Sequence, residues 1–222
     1  MKSYAPKFTI LRTLPPLLIS LSAFVLGATA QAQGEEKLQR VNTGVGYALC
    51  GSCTVPKDVS SEVTLVPKDE PGARMILSGR IYKEDGVTPA SGVTLFLYQT
   101  DAGGYYHRPK EDVFAPRLRG WLRTGKDGRY EIRTIKPMPE VLAPDEPAHI
   151  HAQVFGPGIA EHFLKEFWFD GDPRIKSNEY EKLSKLAVYS PILHLTKDEN
   201  GVLVGQRNIR IRQTERWKYQ DD

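Results

Sequence analysis

Residues 147–156, PAHIHAQVFG, set two of the chain's five histidines one residue apart inside an apolar run. Ile150, Val154 and Phe155 are strand formers, and residues two apart in a strand share a face. The stretch therefore predicts a β-strand with His149 and His151 side by side and Ile150 turned towards the opposite layer. Two imidazoles held this way are half of a metal site. They are equally what a half-exposed strand with two surface histidines would show.

On either side of this run, from Met75 onward, the chain continues in short β-type runs at 75–82, 93–98, 121–123, 130–134, 166–169, 186–195 and 202–211. Asp85-Gly86, Lys126-Asp127-Gly128 and Asn200-Gly201 mark turns between them. Many short strands without a long 3.6-residue periodicity predict an all-β sandwich. Helix is expected only as one short piece, around 159–164 or 179–185.

The N-terminus reads as an address rather than fold. Lys2, Lys7 and Arg12 precede the apolar run LLISLSAFVL at 17–26, and Ala28-Thr29-Ala30 and Ala30-Gln31-Ala32 both suit cleavage after small residues. Residues 1–33 are thus expected to be a signal peptide, too short in its apolar part for a membrane span, and the mature protein secreted or periplasmic. The chain carries 30 Lys+Arg against 27 Asp+Glu. Removal of the three basic leader residues balances the remainder, which argues against nucleic acid or an anionic membrane as partner.

Residues 34–75 are polar and punctuated by Gly and Pro, as expected of an irregular N-terminal arm ahead of a single domain over 76–215. Both cysteines fall in it, as Cys50-Gly51-Ser52-Cys53. In an exported chain this pattern points to a small disulfide, with a metal or redox role as the alternatives.

Four segments together carry a family resemblance: GRIYKEDGVTPASGVTLFLYQTDAGGYYHR (79–108), DGRYEIRTIKP (127–137), PAHIHAQVFGPG (147–158) and FDGDP (169–173). In this order and spacing the chain resembles the intradiol ring-cleavage dioxygenases, the protocatechuate and catechol dioxygenase family. The resemblance implies a β-sandwich holding one mononuclear non-haem iron, Fe(3+), bound by two tyrosinates, two histidines and solvent. It implies a reaction in which dioxygen opens a small aromatic diol between its hydroxylated carbons. Assembly into a homo-oligomer is expected by analogy alone.

Carried over position by position, His149 and His151 match the histidine ligands and Tyr106 the first tyrosine, with Tyr105 the ligand if the register slips by one. The second tyrosine is missing: Pro137-Met138-Pro139-Glu140 places Glu140 there, either as a hard carboxylate ligand and proton acceptor or pointing to solvent. An arginine frequent in the family before Pro-Ala-His-Ile-His is Glu146, and a glutamine before the Gly-Asp-Pro turn is Glu166. With Trp121 these are the expected substrate-pocket residues, and their acidity would favour neutral diols over carboxylated ones. The alternative function is an exported metal-binding sandwich of the same fold whose ring-cleavage chemistry is lost or changed.

Overall fold

The computed structural model describes residues 50–107 and 115–211. The expected leader, residues 34–49 of the arm and residues 212–215 lie outside the described residues, as does the segment 108–114.

Two sheets make up the domain, as the run of short strands predicts. In chain order the strands are β1 (Glu62–Thr64), β2 (Arg74–Tyr82), β3 (Thr94–Gln99), β4 (Leu118–Arg123), β5 (Arg129–Ile135), β6 (His149–Gly156), β7 (Ile159–Phe163), β8 (Phe167–Phe169), β9 (Ile192–Leu193), β10 (Thr196–Lys197), β11 (Leu203–Gln206) and β12 (Ile209–Arg210). One sheet has the order β1-β5-β2-β11-β10, with β12 also on β2; the other has β4-β3-β6-β8-β9, with β7 also on β6. Leu77, Ile81 and Ile132 of the first sheet meet Leu95, Leu97, Ile150, Ala152 and Val154 of the second in one buried cluster.

That cluster fixes which way the histidines face. Strand β6 sends Ile150, Ala152 and Val154 inward, so His149, His151 and Gln153 stand together on the opposite side of the sheet. Each fully buried Val or Ile contributes about 1.5–3 kcal/mol. A slip of one residue would exchange those side chains for two imidazoles and an amide, so the register is strongly held. Strand β3, buried at every position, does the same in reverse order: Leu95 and Leu97 join the core while Phe96 and Tyr98 stand beside the histidines.

The described arm is less irregular than its composition suggests. A 3-10 turn, Gly51–Thr54, is followed by β1, which pairs in parallel with β5, and Leu65 and Val66 enter the core. The expected strand over 186–195 forms only at Ile192–Leu193, because Ala187 takes a positive φ of 53° within the 3-10 turn Ala187–Tyr189. The run 202–211 is broken into β11 and β12 opposite Gly79 and Arg80, where the Asn208 side-chain oxygen accepts the Arg80 N–H at 3.0 Å. Gly79 lets the Arg207 carbonyl come close at this break, since a Cβ there would collide with it. Of the two helix candidates, the second forms the helix α1 (Ser177–Ser184). The first is β7, turned back onto β6 through Pro157-Gly158 with Gly158 at φ +74°.

Candidate metal centre

The face of β6 that points away from the core carries three electron-rich atoms in contact. His149 Nε2 lies 2.9 Å from His151 Nε2, which lies 3.0 Å from the Tyr106 hydroxyl oxygen. His149 Nδ1 is 2.7 Å from the Pro147 carbonyl oxygen, an acceptor only, so that nitrogen carries the proton and Nε2 of the neutral ring is left as a lone pair. Loss of solvent, and then the facing His149, hold His151 far below its ordinary value, at about 3. It is a neutral base at physiological pH. Tyr98, directly opposite on β3, stacks on the His151 ring with centroids 4.4 Å apart and fixes its plane.

Tyr106 reaches this face from the turn after β3. The Asp101 carboxylate accepts the N–H groups of Gly103 at 2.8 Å and Tyr105 at 3.1 Å. Gly104, at φ +81°, lets the turn close, and a Cβ there would strike the Pro139 carbonyl oxygen. Tyr106 turns in and Tyr105, 45% exposed, turns out, so of the two tyrosines Tyr106 is the one beside His151. Burial first, and then the charges of Glu140, Glu146 and Glu166, push the Tyr106 phenol well above its ordinary value. A phenol in that setting stays protonated unless a cation sits at its oxygen, since a bound cation inverts the local balance.

The loop that carries Glu140 is sewn to the same turn: Met138 N–H donates to the Asp101 carbonyl at 3.2 Å and Val141 N–H to that of Gly104 at 3.1 Å. Glu140 is half-buried and close enough to act on Tyr106, and its carboxylate has no hydrogen bond among the described residues. Among the described residues, no group of three or more His, Cys, Asp and Glu side chains is placed to hold a metal. The set brought into contact is therefore His149, His151 and Tyr106, and Glu140 bears on it through its charge at Tyr106.

Beside His149 opens a polar cavity of about 240 Å³ lined by Glu146 and Glu166 together with Lys165, Arg174 and Lys176. Glu166 lies between the centre and the cavity cations, 4.0 Å from His151 Nδ1 and 3.6 Å from Lys165 Nζ. Lys165 also sits 4.0 Å above the Trp168 ring. The pocket is thus of mixed charge, not simply acidic as the carboxylates alone suggest.

Trp121 belongs to a different part of the face. It stacks on Phe96, centroids 4.7 Å apart, and its indole N–H donates to the Gly51 carbonyl at 2.7 Å. Gly51 is the buried point of the turn closed by the disulfide between Cys50 and Cys53, whose Cα atoms are 5.4 Å apart. Its N–H donates to Gln153 Oε1 at 2.8 Å, and a Cβ would run into Phe96. Ser52 N–H and hydroxyl both donate to Glu161. Cys53→Ser should lower stability by about 2 kcal/mol, the closure entropy of so short a loop, measured by urea unfolding. An unchanged midpoint would mean that the docking contacts, not the cross-link, hold the turn.

Gln153 and Tyr98 are site neighbours that the sequence reading missed. The signal for Gln153 is plain: it continues the alternation that pairs His149 with His151. Tyr98 needed the β3–β6 register, which no local pattern gives.

A dioxygenase family model matches residues 54–201. The chain is 32% identical over 122 residues to 6-chlorohydroxyquinol 1,2-dioxygenase of Cupriavidus pinatubonensis, covering 48% of this chain and 44% of that protein. It thus spans less than half the length of this relative. Among solved structures, the dioxygenase domain of a dioxygenase and carbohydrate-binding protein fusion from Streptomyces sp. SirexAA-E superposes with a TM-score of 0.53 at 25% identity, over 72% of this chain and 92% of that one. The 3-chlorocatechol 1,2-dioxygenase of Rhodococcus opacus 1CP shares the fold with a TM-score of 0.57 at 21% identity, over 73% of this chain and 68% of that one. With the family model covering most of the chain and the two-sheet sandwich matching these structures, the chain belongs to the intradiol ring-cleavage dioxygenases.

Proposed function

We propose that the protein is an exported non-haem iron(III) dioxygenase that opens a catechol-type aromatic diol between its two hydroxylated carbons, both atoms of dioxygen entering the diacid product. The observation that carries this reading is the contact of His149 Nε2, His151 Nε2 and the Tyr106 oxygen in successive steps of 2.9 and 3.0 Å. Two neutral nitrogens and a phenol that can become a hard anion fit a ferric ion. When bound, iron supplies a Lewis-acid template that makes a chelated diol electron-rich enough to react with dioxygen.

His149 and His151 would hold the ion through Nε2, the first oriented by its Nδ1–H bond to Pro147. Tyr106 would hold it through its oxygen after giving up a proton. Glu140, half-buried and with no hydrogen bond to its carboxylate among the described residues, would take up a proton from the incoming diol. Glu146, Glu166 and Lys165 would bound the ring in the adjoining cavity, Lys165 meeting any negative substituent and the two carboxylates turning away a badly placed one.

The test is oxygen uptake by iron-loaded protein on a panel of neutral and carboxylated catechols, with ring opening followed in the ultraviolet. Stoichiometric uptake with loss of the aromatic band is expected for at least one diol. Protein that binds one iron and takes up no oxygen with any of them would be the metal-binding sandwich that has lost ring cleavage.

A further inference from the structure

Tyr106 lies outside any strand, on a turn, yet its oxygen must be held against His151. The structure shows what holds the turn. Arg117, just before β4, donates its main-chain N–H to the Tyr106 carbonyl at 2.9 Å. Its guanidinium grips Glu70 with two parallel bonds of 2.6 Å and reaches Asp101 Oδ2 at 3.3 Å. The other oxygen of Asp101 is the one that ties the N–H groups of Gly103 and Tyr105. Arg117 thus fastens the Tyr106 turn at its exit through the main chain and at its entry through Asp101.

The far end of this chain of contacts is anchored in the N-terminal arm. Glu70 is 5% exposed, and its own main chain is fixed because Arg74 donates to the Glu70 carbonyl at 2.8 Å and Glu70 N–H to Pro67. A bidentate arginine–carboxylate pair with little solvent around it is among the more rigid polar contacts a protein makes, and it fixes direction as well as distance. A lysine in place of Arg117 keeps the charge but loses the fork, so it could not hold Glu70 and Asp101 together in the same geometry.

We infer that Glu70, Arg117 and Asp101 form a brace through which the N-terminal arm sets Tyr106 against His151, making all three positioning residues of the metal centre. The inference rests on the reading of Tyr106 as a ligand. It gives residues 62–75 a task beyond completing a sheet edge, and it makes the arm part of the site without placing any of its atoms at the metal.

The test uses the full chain loaded with iron, comparing wild type, Tyr106→Phe, Arg117→Met, Arg117→Lys and Asp101→Asn. Asn at position 101 can still accept from Gly103 and Tyr105 but loses its ionic bond to Arg117. In Arg117→Met and Arg117→Lys, iron affinity should fall by about 10–100-fold, the range for loss of an outer-shell partner, and the tyrosinate band should weaken and shift. Asp101→Asn should give the same changes in smaller measure. In metal-free protein, hydrogen exchange at 103–106 should quicken in all three while the strands keep their protection, which separates a local brace from general loss of stability. A band that survives Tyr106→Phe overturns the Tyr106 reading and the brace with it. A band that vanishes in Tyr106→Phe but is unmoved in Arg117→Lys and Asp101→Asn overturns the brace alone. If Arg117→Met does not fold, those two variants decide.

Discussion

His149→Ala and His151→Ala should each leave a folded protein that no longer retains iron through a desalting step, whereas wild type retains about one iron per chain, as the proposed mononuclear centre requires. The core argues for the folded part of this result. Neither imidazole belongs to the cluster of Ile150, Ala152 and Val154 that holds β6 in register, so truncating one removes no core packing between the sheets. His149 does fill space at the cavity edge, so a small loss of stability is expected in that variant. The donor geometry argues for the iron part. The two Nε2 atoms are 2.9 Å apart, and replacing either histidine leaves a single imidazole nitrogen in the donor set. Loss of an outer-shell partner already weakens metal affinity by about 10–100-fold, so loss of a ligand should exceed that range. Metal analysis beside a thermal melt reads both parts. A variant with wild-type iron content would place the metal elsewhere, and one that fails to fold would show that the histidines do structural work which the burial pattern does not reveal.

How far the sequence could be read depends on whether a feature was local. Strand β6 was legible because its alternation is strict over six residues and its inward positions are all apolar. The same pattern placed both histidines on one face without knowledge of any partner strand. β1 was not legible: Glu62-Val63-Thr64 is short and polar, and it is a strand only because β5 offers it a parallel edge. The break between β11 and β12 was hidden for a similar reason, since it is set by Gly79 and Arg80 on a strand more than a hundred residues earlier. In the site, Tyr106 and the histidines came from a pattern shared with a family. The Glu70–Arg117–Asp101 contacts, the Gln153 amide under Gly51 and the Lys165 cation in the cavity came only from tertiary structure. The acidity expected of the pocket took no account of Lys165, Arg174 and Lys176, which carry no motif and join Glu146 and Glu166 at the cavity only through tertiary structure.

The replacement of a tyrosine by Glu140 leads to the sharpest expected contrast. The family resemblance implies that each tyrosinate would give charge-transfer colour to a bound iron(III) and that the second would be the group taking up a proton from the diol. Here the Tyr106 oxygen lies 3.0 Å from His151 Nε2, whereas Tyr98 meets His151 ring to ring, so Tyr106 alone should supply the colour. Tyr106→Phe should abolish the visible band of the iron-loaded protein entirely. Glu140→Gln should keep the band, because the phenol is untouched. Turnover should nevertheless drop by about 100-fold, the low end of what a positioned acid–base group contributes, because Gln cannot accept the proton of the diol. A carboxylate is a weaker base than a phenolate by roughly six units on reference values, so even the wild type should deprotonate its diol less readily than a two-tyrosine relative. More acidic diols should therefore react faster in proportion, and the rate advantage of such diols should grow further in Glu140→Gln. If the band persists in Tyr106→Phe, another phenol binds the metal and the position-by-position match is wrong. If Glu140→Gln turns over at the wild-type rate on every diol, the carboxylate beside Tyr106 is a bystander, and the proton must leave by way of solvent or of Glu166, the carboxylate 4.0 Å from His151.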